Sequence, residues 1–186
     1  AYYDGGRAPP KGGCAETVVF DIDETVLSNL PEMLREGLGS YNKTAWDAWV
    51  ASASAPAIPG ALELHELLHE KGYSVAFITG RPEEQRAPTE EALKAAGFGA
   101  QCGGGLEEAC GKGAGCYVEL VLRSTPEEKA QPASVYKPAR RGYLADKYGV
   151  QFAGLFGDQW SDLSGTDGPA DDQALFKLPN PFYYVA

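Results

Sequence analysis

Asp21 and Asp23 stand two residues apart after the apolar run Val18–Val19–Phe20, and Glu24 follows directly, in the stretch VVFDIDETVLS. Acids packed this closely repel one another and resist burial, so a cation, a proton or hydrogen bonds must compensate them. If the run is a strand, residues two apart point the same way, so Asp21 and Asp23 project together while Ile22 faces the other side. Two carboxylates then share one site. A plainer reading ends the strand at Asp21 by chance, lets Asp23 or Thr25 cap a following helix, and makes Glu24 an acid at that helix's start.

The other apolar runs argue for the shared site. YSVAFITG, 73–80, finishes in Thr79-Gly80-Arg81, and GVQFAGLFGD, 149–158, in Gly157-Asp158 with Asp162 four positions on. Each major strand thus delivers polar chemistry at one edge. Lys137 lies before a helical pattern and would join them if its loop folds towards that edge; its plain alternative is a solvated lysine. For Thr79 the plain alternative is a turn residue before Gly80.

A competing motif is HELLH at 65–69, the H-E-x-x-H pattern in which two histidines one helical turn apart hold zinc and Glu66 would be the base. Its longer form needs a third histidine where Val75 stands, and Glu90 is the substitute ligand to consider. Periodicity assigns Ala61, Leu64, Leu67 and Leu68 to the core face of this helix, which places His65 on the flank and His69 further towards solvent.

These groups must be positioned by strands 17–23, 73–80 and 149–158, with 116–123 and the FYYV segment 182–185 as further strand candidates. Helical patterns lie between them: ALELHELLHEKG, PEEQRAPTEEALKAAG and KPARRGYLADKYG, each closing on glycine. The alternation predicts an α/β, three-layer, Rossmann-like domain with a central parallel sheet. Residues 29–57 interrupt it as short helices and are expected to form a small cap over the C-terminal end of the first strand, where open α/β sheets bind ligands. Trp46 and Trp49 are expected to fill a small core within that cap.

With 186 residues, 44% of them hydrophobic, the chain reads as one domain, 1–186, able to bury roughly 70% of its unfolded surface. The formal charge of −10 opposes binding to a phosphate backbone, which excludes nucleic acid as the expected partner. No apolar run approaches the length of a membrane span, and the N-terminal AYYDGGRAPPKGG has no signal-peptide core, so a mature chain without its targeting segment is expected. Cys14, Cys102, Cys110 and Cys116 predict two disulfides in any of three pairings, and hence an oxidising compartment, extracellular or vacuolar.

The ordered set D-I-D-E-T, T-G-R, Y-K-P and G-D-Q-W-S-D resembles the four motifs of the haloacid dehalogenase superfamily of phosphotransfer enzymes. Within it, DETVLSNLP, ITGRPEEQR, SVYKPARRGYL and GDQWSDLSG look like the plant acid phosphatases and vegetative storage proteins of subfamily IIIB, over about residues 17–166. The Gly- and Cys-rich stretch 99–116 departs from that likeness. The resemblance implies Mg²⁺-dependent hydrolysis of small-molecule phosphate monoesters, with Asp21 as nucleophile forming an aspartyl-phosphate and Asp23 as proton carrier with a raised pKa. It further implies that Thr79 and Gly80 bind the phosphoryl group and that Lys137 neutralises charge. Asp21, Asp158, Asp162 and the backbone carbonyl of Asp23 would serve the metal. A non-enzymatic storage protein of the same fold is the alternative, and a homodimer is compatible with either.

Overall fold

A computed structural model of the protein describes residues 16–110, 115–165 and 174–184. β1 (Glu16–Phe20) is followed by α1 (Leu30–Arg35), α2 (Lys43–Ala51) and α3 (Pro59–Lys71), then by β2 (Ser74–Pro82). A 3₁₀ turn (Glu83–Gln85) opens α4 (Arg86–Ala95); α5 (Leu106–Ala109), β3 (Leu120–Arg123), α6 (Pro126–Ala130) and α7 (Ala133–Tyr148) come next. β4 (Gln151–Gly157), α8 (Trp160–Leu163) and β5 (Ala174–Lys177) complete the described elements.

The five strands form one parallel sheet in the order β3-β2-β1-β4-β5. Their alternation divides the core. Val18, Phe20, Val75, Phe77, Leu120 and Leu122 face one layer of buried residues with α3 and α4. Val19, Ala76, Ile78, Val121 and Leu155 face the other with Tyr136 and Leu144 of α7 and Leu163 of α8. A sheet covered on both faces explains why its strands read as continuous apolar runs.

The expected fold is present, with shorter strands than the sequence pattern drew. β1 ends at Phe20, so Asp21 and Asp23 lie in the turn beyond it, although Asp21 N–H still donates to Phe156 O at 2.9 Å. β3 begins only at Leu120. The last strand is Ala174–Lys177 rather than FYYV: residues 178–184 leave the sheet, and Val185 lies outside the described residues. Chain order reverses between β1 and β4, which opens a crevice at their C-terminal ends.

The Cys102–Cys116 bridge closes a loop with a sequence separation of 14. Such closure stabilises by about 3 kcal/mol through the unfolded chain. Cys14 lies outside the described residues.

The HELLH helix keeps Ala61, Leu64 and Leu68 against the core as expected, but its phase puts the histidines inside and Leu67 outside. His65 and His69 are 2% and 3% exposed, whereas Leu67 is 46% exposed. Gly72 at the helix end and Phe98 after α4 help explain it: His65 packs edge-on against Phe98 and in parallel with Phe77, so aromatic contacts claim the imidazoles for the core. Their Nε2 atoms are 3.1 Å apart, and neither Nδ1 has a hydrogen-bond partner. One shared proton satisfies that geometry and two do not.

Burial, with the neighbouring His69 adding to it, pushes the His65 imidazole down to about 4, and burial lowers His69 as well. The folded state therefore prefers neutral rings: their contribution to stability is full above an unfolded pKa near 6.5 and is lost as pH falls towards 4. Urea denaturation should show the wild type losing on the order of 3 kcal/mol between these limits. His65→Leu should flatten that slope, and an unchanged slope would contradict the assignment.

Candidate active site

The C-terminal ends of β1, β2, β3 and β4 contribute to one cavity of about 1200 Å³. Asp21 comes from β1, Gly80 and Arg81 from β2, and Asp158 from the end of β4. Lys137 belongs to the second turn of α7, not to a loop before it, and reaches the sheet edge as a 6% exposed side chain. Its Nζ donates to Asp21 Oδ1 at 2.5 Å and to Asp162 Oδ1. Burial opposes its charge, yet Asp21 and Asp162 together raise its pKa above the usual lysine range.

Asp162 is held from two sides. Its Oδ2 accepts the Gln159 backbone N–H at 2.8 Å, within a capping box that begins α8. It also packs against Gly157 so tightly that a Cβ there would lie 2.1 Å from the Asp162 Cβ. Asp158 accepts Gln159 Nε2 and Asn180 Nδ2, both at 2.6 Å and both on Oδ2.

The carboxylate oxygens of Asp21, Asp158 and Asp162 come within 4.8 Å of one another, and all three residues are buried. Burial, opposed by Lys137 and reinforced by Asp162, Asp158 and Asp23, pushes Asp21 well above the ordinary carboxylate range. Three carboxylates around one ammonium leave negative charge that a divalent cation would neutralise, and an all-oxygen donor set suits a hard one. The residues therefore fit Mg²⁺. Among the described residues this is the only such cluster, and His65, His69 and Glu90 do not form one; Glu90 pairs with Arg86 at 3.3 Å.

Asp23 departs from its expected state. Burial alone would raise its pKa, but the charge and hydrogen bonds of Arg81, with help from Asn29, hold it below the ordinary value. Arg81 grips it bidentately, Nε to Oδ2 at 3.0 Å and Nη2 to Oδ1 at 2.6 Å. A nearby anion was the expected influence; an arginine from the next strand end outweighs it. Thr79 is fully buried behind the cavity wall, with Oγ1 accepting the Arg81 backbone N–H at 3.1 Å, whereas Gly80 lines the cavity.

Several site residues escaped sequence reasoning. Arg81 was visible as the last letter of T-G-R. Glu24 does not start a helix: it sits at φ 55°, and its carboxylate accepts from Asn29 and from the Tyr183 hydroxyl. Trp46 and Trp49 do not make a separate cap core. Trp46 lines the cavity beneath the Arg81 guanidinium, 5.7 Å from ring centroid to Cζ, and Trp49 packs on the main core and donates to Asn29. Phe182 and Tyr183 wall the cavity from the C-terminal segment, a placement that no local pattern encodes.

A parallel α/β sheet with acidic residues gathered at its switch point is the arrangement of a haloacid dehalogenase-like protein. Residues 4–186 match the family described as HAD superfamily, subfamily IIIB (Acid phosphatase), and the chain belongs to it. It is 36% identical to acid phosphatase 1 of Solanum lycopersicum over 169 residues, 90% of this chain and 58% of the relative. It is 32% identical to vegetative storage protein 1 of Arabidopsis thaliana over 188 residues, all of this chain and 61% of the relative. The class C acid phosphatase of Bacillus anthracis with tungstate bound superposes with a TM-score of 0.64 at 25% identity, covering 94% of this chain and 70% of that one. The chain spans between 51% and 62% of the length of the curated relatives it matches.

The tight approach of Gly157 to Asp162 is open to a direct check. Gly157→Ala should lower the urea-denaturation free energy by about 1–3 kcal/mol through overpacking. Gly142→Ala, mid-helix in α7 with no atom within 4 Å of the added Cβ, should raise it by about 0.5–1 kcal/mol. Equal effects at the two positions would contradict the packing described.

Proposed function

We propose that this protein is a Mg²⁺-dependent acid phosphatase that hydrolyses small-molecule phosphate monoesters through an aspartyl-phosphate on Asp21. The observation that carries the reading is the buried Asp21 carboxylate at the floor of an open cavity, held by Lys137 and adjoining Asp158 and Asp162. Tungstate, an oxyanion, is bound in the structural neighbour, and that likeness supports an oxyanion as ligand here.

In the first step an Asp21 oxygen attacks phosphorus, and the bond to the ester oxygen breaks. Once the phosphoryl group has drawn Arg81 away and Asp23 has taken up a proton from solvent, Asp23 gives that proton to the ester oxygen, so an alcohol leaves. In the second step Asp23, now a carboxylate, takes a proton from water as the water attacks phosphorus, which frees inorganic phosphate and restores Asp21. Lys137 balances charge shared between Asp21 and the phosphoryl oxygens. Gly80 and Arg81 sit where those oxygens enter, with Thr79 bracing the turn behind. A phosphoryl dianion competes for the Arg81 guanidinium, which relaxes its hold on the Asp23 charge.

When bound, Mg²⁺ would supply positive charge to the nucleophile and the phosphoryl oxygens, held by Asp21, Asp158 and the Asp23 carbonyl. Asp162, with both oxygens engaged, fits the orientation of Lys137 and of a coordinated water. The Cys102–Cys116 bridge supports an oxidising compartment, extracellular or vacuolar.

The relative named a storage protein favours a second reading, in which the fold and pocket persist without turnover. A chromogenic phosphate monoester assay separates the two. Hydrolysis should vanish with chelator and return with Mg²⁺, and Asp21→Asn should lower kcat by on the order of 10³-fold or more. Asp23→Asn should trap phospho-enzyme. Slow turnover that is unchanged in Asp21→Asn would favour storage.

A further inference from the structure

Asn29 has no place in the chemistry so far, yet its fully buried side chain contacts three parts of the site at once. Its Nδ2 donates to Asp23 Oδ1 and to Glu24 Oε2, both at 2.9 Å, and its Oδ1 accepts Trp49 Nε1 at 2.7 Å. The indole N–H can only donate and the two carboxylates accept, so the orientation of the amide is fixed. Glu24 in turn holds the Asn29 backbone N–H at 2.6 Å and receives the Tyr183 hydroxyl at 2.7 Å.

Asn29 stands at the N-cap position of α1, where asparagine ordinarily caps with its side chain. It makes no such bond here. Pro31 supplies no N–H, and the amide is turned to Asp23 instead. The cost is also visible in Glu24, a non-glycine residue kept in the left-handed region at φ 55°, a conformation that persists only when surrounding contacts determine it.

We propose that Asn29, braced by Glu24 and Trp49, is a positioning residue that fixes the carboxyl orientation of Asp23. This rests on the reading of Asp23 as proton carrier. Two groups hold Asp23, and they differ in kind. Arg81 is a cation for which the phosphoryl group competes; Asn29 is a neutral amide whose hydrogens are both committed to carboxylates. When the guanidinium turns to phosphate, Asn29 still anchors Oδ1 and leaves Oδ2 to serve the departing oxygen. Through Trp49 the same amide ties the acid–base residue to the cap helix α2, and through Glu24 and Tyr183 to the C-terminal segment.

The test uses leaving groups. Nitrophenolate departs without a proton, whereas an alkoxide needs one, so loss of a positioned acid falls mainly on the alkyl ester. The quantity to compare is kcat/KM for glycerol 2-phosphate against 4-nitrophenyl phosphate, with Asp23→Asn as reference. Asn29→Ala should lower the first by roughly 10²-fold and the second by less than about threefold. Trp49→Phe, which keeps the packing and removes only the donor, should shift the same ratio in the same direction by a few fold. Equal losses on both esters, or no loss, would overturn the proposal, and Trp49→Phe decides it if Asn29→Ala does not fold. Activity retained in Asp21→Asn would sink the nucleophile assignment separately, because the ester ratio does not depend on which group attacks phosphorus.

Discussion

The contact on which the site depends is the ammonium of Lys137 lodged between Asp21 and Asp162. Taking any one of these charges out of water alone costs several kcal/mol, and removing one partner of a buried pair costs about 3–5 kcal/mol. The structure meets that cost by bringing together elements far apart in sequence: a strand end, the second turn of a long helix, and the capping box of a four-residue helix. The capping box and the Gly157 contact fix Asp162, Asp162 fixes Lys137, and Lys137 fixes the rotamer of Asp21. A carboxylate held this way is fixed in place by the fold itself, and in the proposed role of nucleophile that is where preorganised charge has its effect on rate.

A second charge pair, Arg81 with Asp23, stands on the other side of the nucleophile. The two pairs perform different work because their cations differ. Lys137 is a compact charge sealed between two acids, while Arg81 offers a planar fork that spans the Asp23 carboxylate and also donates to Thr89 at 3.0 Å. The first pair is suited to stay in place and the second to exchange partners. Asp21 and Asp23, the proposed nucleophile and proton carrier, therefore sit two residues apart in opposite electrostatic settings, Asp21 pushed up by burial among acids and Asp23 held down by arginine.

Much of this was legible in the order of residues. Continuous apolar runs located the sheet, and the polar residues after each run located the edge where Asp21, Arg81 and Asp158 gather. That reading succeeds because a buried parallel strand must be apolar throughout, so the first polar residue marks where the chain leaves the layer. It failed where helical phase or distant partners decide the outcome. Leu64 and Leu68 pack on the core together with His65 and His69 of α3, and the aromatic rings of Phe77 and Phe98 favour the phase that takes in the histidines and leaves Leu67 outside. The pKa of Asp23 was misjudged for a related reason: Asp21 is its neighbour in sequence, but Arg81 is its neighbour in space, 58 positions on.

The segments with the weakest sequence signal are those that close the site. Residues 178–184 read in part as a strand at FYYV and form none, yet Asn180 holds Asp158 and Tyr183 holds Glu24. Helix α2 contributes Trp46 beneath the Arg81 guanidinium and Trp49 to Asn29. Side chains that act across a cavity need only one correct contact each, so no repeating pattern selects them, whereas a strand needs its pattern along its whole length. For the same reason these walls can change without disturbing the sheet. Lys137 hydrogen-bonds to Asp21 and Asp162, and Asp162 to the Gln159 N–H that opens α8, all of them buried, while Tyr41 and Tyr184 are 73% and 72% exposed at the cavity rim. The floor of the cavity is therefore fixed by the core, while the composition of its walls is free to vary.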